Sequence, residues 1–151
     1  MCGKRLLDLA DLVGEFHGTD SMHASAWTNE EEAAVTVAGS VELEGGLVVQ
    51  RLDQTRRSGS FGGLNIFMSD PETGEVLLYA FDSFGFPPDP PARGTWHDGE
   101  LVLLRETSRG QSRTAYRPGA DGYSWRKEFR ASSEAAWQTL VTGVLTRQDP
   151  A

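Results

Sequence analysis

The chain has 151 residues, the size of one domain rather than two. Apolar residues make up 38% and charged residues 24%, enough for a packed core and too apolar for wholesale disorder. A formal charge of -8, from 22 acids and 14 bases, repels phosphate backbones and argues against a general nucleic-acid binder, and no apolar run approaches the roughly 20 residues of a membrane span.

The N-terminus carries Lys4 and Arg5, as a signal peptide does, but Asp8 and Asp11 interrupt the apolar stretch that a signal peptide needs. Cys2 is the only cysteine and lacks the upstream apolar segment of a lipoprotein. It excludes an intrachain disulfide and a thiolate metal cluster, and the chain reads as cytoplasmic. Residues 1–50 hold two bases and nine acids, an acidic, soluble edge; the remainder is nearly balanced. Of the 14 bases, 12 are Arg, a skew that fits a GC-rich genome better than a binding demand.

Residues 5–13 read as a short helix, with Leu6, Leu9, Ala10, Leu12 and Val13 at helical spacing and Gly14 as its stop. After Gly14, turn signals recur every eight to twelve residues: Glu44-Gly45-Gly46, Ser58-Gly59, Asp70-Pro71, Asp98-Gly99, Arg109-Gly110 and Pro118-Gly119. They divide the chain into ten strands at about 14–27, 33–42, 46–56, 61–69, 75–82, 93–97, 100–107, 111–117, 122–131 and 136–147. In 61–69, Leu64, Ile66 and Met68 face one way and Asn65 the other, with Phe67 breaking the pattern. In 122–131, Tyr123, Trp125 and Phe129 share a face opposite Ser124, Arg126, Glu128 and Arg130. Segment 76–81 is apolar on both faces and needs cover on both, from the N-terminal helix or a partner subunit. Trp137, Leu140, Val141, Val144 and Leu145 also fit a helical stripe, but the Thr, Val and Gly content favours a strand, and a barrel needs one to close it. The expectation is an all-β protein: residues 1–151 form a single domain, an antiparallel up-and-down barrel of about ten strands plugged at one end by helix 5–13.

The segments LADLVGEFHG, GSVELEGGLVV, FDSFGFPPDPPARGTW and LVTGVLTR together resemble a calycin-like bacterial family, domain of unknown function 1579, whose members are similar to small lipocalins and fatty-acid-binding proteins. The resemblance implies the same barrel. It also implies that the first-strand aromatic packs at the closed base under a basic side chain of the last strand, here Phe16 and Arg147. The family pattern has Trp where this chain has Phe16, and a cation over an aromatic face contributes roughly 0.5–2 kcal/mol depending on desolvation. The family has no agreed activity.

Residues with reactive side chains are few. His17, Asp20 and His23 have a metal-like spacing, yet on a strand His17 and His23 stand about 20 Å apart and opposite Phe16 in parity, so they face solvent. His97 sits beside Asp98 in a turn. Haem is not expected, because no His follows His97 and the closing strand has no Cys or Tyr; neither a metal nor another cofactor is called for. Ser58-Gly59-Ser60-Phe61-Gly62-Gly63 lacks both the nucleophile-elbow and the phosphate-loop spacing and reads as a hairpin loop. Segment 84–91 is unusual: four prolines in five positions cannot pair inside a sheet, and they hold Phe84 and Phe86. This segment is a loop folded on the barrel rim, a flap over a pocket mouth, or a subunit contact. Counting strands from the plugged end places it at the open end.

A ten-strand barrel leaves room for a cavity. The leading function is to bind a small, mostly apolar molecule there, lined by Tyr79, Phe81, Tyr123 and Trp125, with Trp96 at the rim and Phe84 and Phe86 at the mouth. One alternative is a cyclase- or isomerase-type enzyme in the same cavity, with Arg51, Asp53, Arg105 or Glu128 intruding. Another is a filled barrel acting as a structural protein, with a homodimer contact across strand 76–81.

Overall fold

The structure, a computed structural model, describes residues 9–25 and 29–148. Ten strands succeed one another: β1 Gly14–Met22, β2 Glu31–Glu42, β3 Leu47–Arg56, β4 Gly59–Ser69, β5 Val76–Asp82, β6 Ala92–His97, β7 Glu100–Thr107, β8 Gly110–Pro118, β9 Gly122–Arg130 and β10 Gln138–Arg147. Each pairs antiparallel with its neighbours in sequence, and β1 pairs with β10 from Phe16↔Arg147 to Met22↔Val141. The result is a closed up-and-down barrel, the all-β architecture expected from the turn spacing. Closure leaves no end strand with a free edge to recruit another chain. Among the described residues, no helix is long and apolar enough to cross a membrane.

The N-terminal helix is the main departure. Residues 5–8 lie outside the described residues, and the chain enters the barrel through a single 3-10 turn, Ala10–Leu12. Leu9 and Leu12 are fully buried, and their spacing of three residues matches the three-residue period of that turn. Gly14 ends it at φ +122°, a backbone conformation that disfavours any side chain, and a Cβ there would press on the Arg147 guanidinium. First-strand residues 23–25 also fall outside β1, and residues 26–28 lie outside the described residues.

Leu9, Leu12, Phe16, Val48, Phe67, Leu101, Leu103 and Leu145 pack together as the closed base of the barrel. There the Arg147 guanidinium lies 4.7 Å from the Phe16 ring centroid, and it donates 2.6 Å to the Val13 carbonyl and 3.4 Å to that of Asp11. Tyr123 meets Phe16 edge-on at 5.0 Å. One guanidinium thus ties the entering segment, the first strand and the last strand together.

At the other end the wall is less continuous. β5 and β6 pair only at Val76↔Gly94, Leu77↔Arg93 and Leu78↔Ala92. From Tyr79 to Asp82 the β5 edge turned away from β4 has no ladder partner, and the proline-rich segment 83–91 runs there instead. Arg105 fastens that segment with a 2.8 Å hydrogen bond to the Pro90 carbonyl, and Arg109 with a 3.0 Å ion pair to Asp89.

On the outside of β7–β9, Glu100 is held by Arg126 at 2.6 Å, and Glu128 by Arg113 at 2.9 Å and Arg126 at 3.1 Å. Trp137, just before β10, lies between the Arg113 and Arg130 guanidinium groups, 4.3 and 4.2 Å from its ring centroid.

Candidate functional site

The half of the barrel away from the base encloses a cavity of about 440 Å³, within the range that holds a small molecule. The interior is therefore not filled by side chains. Strand parity decides which residues reach it. β1 brings Asp20 and Met22, β2 Val35 and Val37, β3 the run Gln50, Leu52, Gln54 and Arg56, and β4 Phe61, Gly63 and Asn65. Leu78, Ala80 and Asp82 come from β5, Arg105 from β7, Thr114 and Tyr116 from β8, Tyr123, Trp125 and Lys127 from β9, and Leu140, Val141 and Leu145 from β10.

Part of the lining is a chain of polar groups. Asp20, only 1% exposed, accepts 2.6 Å from Gln54 Nε2 and 2.9 Å from Trp125 Nε1. Gln54 Oε1 in turn accepts from Arg56 at 2.8 Å, and the Arg56 guanidinium lies 5.1 Å from the Phe61 centroid. Deeper in, Asn65 donates to Gln50 at 3.3 Å. Burial raises the Asp20 carboxyl above its ordinary pKa, and the Trp125 and Gln54 hydrogen bonds and the Arg56 charge only partly oppose this. Burial likewise lowers the Lys127 ammonium and the Arg105 guanidinium and raises the Tyr116 and Tyr123 hydroxyls. Apolar surface from Val35, Val37, Leu52, Leu78 and Leu145 interleaves with these polar groups, Val35 pairing directly with Gln54. Tyr116 stacks on Trp125 at 6.3 Å.

Trp125 reaches Asp20 across β10, because the register sets Asp20, Gly143 and Trp125 side by side. A Cβ on Gly143 would collide with Asp20 Oδ1 and Trp125 Nε1. The glycine in the middle of β10 is thus the opening through which the hydrogen bond forms.

Of the aromatics expected around a ligand, Tyr123, Trp125, Phe81 and Phe84 line the cavity. Phe81 does so from the rim, 39% exposed, since it pairs with Leu64 on the outward parity. Phe84 is 66% exposed with its ring 5.4 Å from Phe61. Three expectations need correction. Tyr79 pairs with Ile66 on the outward face, so it does not reach the interior. Phe86 is 76% exposed on the proline segment and lines nothing. Trp96 belongs to the base rather than the rim, because β6 runs from the mouth toward the closed end; it packs against the core.

Among the charged candidates, Arg105 faces the cavity, Arg51 and Asp53 are exposed, and Glu128 is held outside by two arginines. The β4 pattern has the reverse sense to a core strand: Leu64, Ile66 and Met68 point outward while Asn65 and Phe67 point in. Asp20, Gln50, Gln54, Arg56, Tyr116 and Lys127 are interior groups that escaped the sequence reading. Their signal was parity, since Asp20 shares that of Phe16, and Lys127 that of Trp125. His17 is exposed, and His23 lies 3.1 Å from the Thr142 hydroxyl. Among the described residues no three His, Cys, Asp or Glu side chains gather as a metal set.

No protein-family model matches the sequence, and no curated protein matches it significantly. Solved structures do. The crystal structure of Rv2717c from M. tuberculosis is 16% identical, with a TM-score of 0.72 over 96% of this chain and 98% of that one. The S-type phycobiliprotein lyase CPES from Guillardia theta is 10% identical, with a TM-score of 0.62 over 95% of this chain and 92% of that one. The fold is calycin-like. Both neighbours are ten-strand barrels of that kind.

Proposed function

We propose that the protein binds a small, mostly apolar molecule in the mouth half of the barrel. The observation that carries this reading is the cavity itself, about 440 Å³ and lined by both apolar and polar side chains. Burial of the ligand's apolar body would supply affinity at about 25 cal/mol per Å² removed from water. Arg56 and Arg105 line the mouth side, and the guanidinium N–H groups they do not give to Gln54 and Pro90 are donors for a polar end of the ligand, while the Asp20–Gln54–Trp125 chain fixes which polar groups a ligand can present. The proline segment with Phe84 flanks the entrance. One structural neighbour is by name a phycobiliprotein lyase, so a barrel of this shape serves a role beyond a filled scaffold. Membership of domain of unknown function 1579 belongs to the same proposal, as does a homodimer. For the latter only Tyr79 and Phe81 on β5 remain open, because Leu77 is buried within the chain.

A titration with 8-anilinonaphthalene-1-sulfonate, an apolar fluorescent anion, tests the reading. Saturable enhancement with one site per chain, reversed by decanoate and lost on filling the cavity with Ala80→Trp, is expected. Enhancement that neither saturates nor responds to Ala80→Trp would remove the cavity as the binding site.

A further inference from the structure

Fourteen bases occupy this chain and only two are lysines, Lys4 and Lys127. One of the two lines the cavity. It stands on β9 between Trp125 and Phe129 on the same face, with Thr114 of β8 and Val141 of β10 as its ladder neighbours. The other cations of the cavity wall are engaged: Arg56 with Gln54 and Phe61, Arg105 with the Pro90 carbonyl. Among the described residues no hydrogen bond or ion pair holds the Lys127 ammonium. Lys127 is half-buried, and an ammonium withdrawn from water with no carboxylate in hydrogen-bond range relieves that cost by losing a proton. Arg105 and Arg109 disfavour its charged form, while Asp82 and Asp89 favour it. Burial is the largest influence and pushes the amine below the ordinary lysine range.

An arginine would serve equally well as a fixed cation and could not act as a nucleophile. We propose that Lys127 is a nucleophilic amine that condenses with an apolar aldehyde or ketone in the cavity and holds it as an imine. The nitrogen lone pair bonds to the carbonyl carbon, and the carbonyl π pair moves to oxygen. The oxygen then takes both amine protons and leaves as water, so that a C=N bond remains and no oxidant or reductant is needed. Hydrolysis by the same steps in reverse releases the ligand. The inference rests on the cavity-binding reading and names its substrate class: a carbonyl compound whose tail lies along Leu52, Val35 and Leu78.

Decanal with sodium cyanoborohydride is the trapping probe, and peptide mass mapping is the readout. Because the chain has two lysines, the map resolves the sites. Trapping at Lys127 near neutral pH is expected to be about tenfold faster than for N-acetyl-lysine amide, as suits a desolvated amine. The rate should saturate with decanal, and decanoate should suppress it. Lys127→Arg should abolish the adduct at that position, because a guanidinium does not form the imine. Dye binding that decanoate reverses, with Lys127 modified no faster than the free amine, would overturn the imine while leaving the cavity reading intact. Absence of saturable dye binding would instead count against the cavity reading itself. The comparison of rates is made on the wild-type chain, so it holds even if the variant fails to fold.

Discussion

Gly143 shows how one missing side chain sets a polar site. Its position between Asp20 and Trp125 means that Gly143→Ala must push the indole or the carboxylate aside and leave a buried acceptor short of a donor. A loss of about 1–3 kcal/mol is expected from urea unfolding. Gly62→Ala, where a Cβ meets only ordinary contacts, should stay within about 0.5 kcal/mol. Asp20 itself makes stability depend on pH. Burial, the dominant influence, raises its pKa in the fold above the ordinary 3.8, so the native state binds its proton more tightly than the unfolded chain does. Its contribution is then present at low pH and lost as pH rises through the folded pKa. Asp20→Asn removes that dependence. The stability advantage of wild type over the variant should shrink from about pH 4 to about pH 8 in urea midpoints; an advantage that grows would reverse the assignment. At Glu128 burial pushes the pKa up, but hydrogen bonds from Arg113 and Arg126 outweigh it and leave it lowered, so that group has the opposite sign. Asp20 and Lys127 were hard to read from sequence because a charged residue at an inward parity looks like a parity error. Tyr79 was misplaced because β5 is apolar on both faces, which erases the alternation that would have shown its side.

At the scale of elements, turn chemistry was informative because Gly, Asn, Asp and Pro act locally. Ten strands follow the punctuation to within a few residues, apart from β1, which ends at Met22 rather than 27, and they include β10, whose helical stripe competed with its β-branched composition. Within the described part of the expected helix, residues 9–13, the chain forms a 3-10 turn at Ala10–Leu12 instead. Leu9 and Leu12 satisfy a period of three as well as one of 3.6, so their spacing alone did not distinguish the two. The proline segment carries its own prediction. Phe84 and Phe86 are mostly exposed, so replacing both by Ser should shift the unfolding free energy little, within about 0.5–1.5 kcal/mol including the Phe61 contact. The same variant should weaken anilinonaphthalene sulfonate binding, since Phe84 borders the cavity. A variant that melts far below wild type would make these rings part of the core.

For the whole molecule, closure is the property on which the rest depends. β1 and β10 lie at opposite ends of the sequence and seal the sheet, so a large entropy of loop closure precedes the last ladder. Deleting residues 138–151 would expose the edges of β1 and β9 and remove Arg147 from Phe16. Such a chain is expected to lose cooperative unfolding and to associate, as seen by circular dichroism and size-exclusion chromatography; a monomeric, cooperatively melting fragment would show that closure is dispensable. This large-scale order was legible because ten hairpin-connected strands have few ways to bury one face. The content of the interior was not, because a cavity depends on which side chains are absent.

The short β5–β6 ladder makes the barrel a vessel with a seam. Elsewhere, opening the wall means breaking a row of backbone hydrogen bonds, but beyond the short β5–β6 ladder the proline segment is fastened to the β7 side by the Arg105–Pro90 bond and the Arg109–Asp89 pair, and β5 has no ladder partner there. Thermal opening should therefore concentrate there. Native-state amide exchange would find the β5 amides from Tyr79 to Asp82 that face the seam exchanging well ahead of the β2–β3 ladder. A bulky guest would then enter sideways through a slit that parts and heals, while the closed base stays shut.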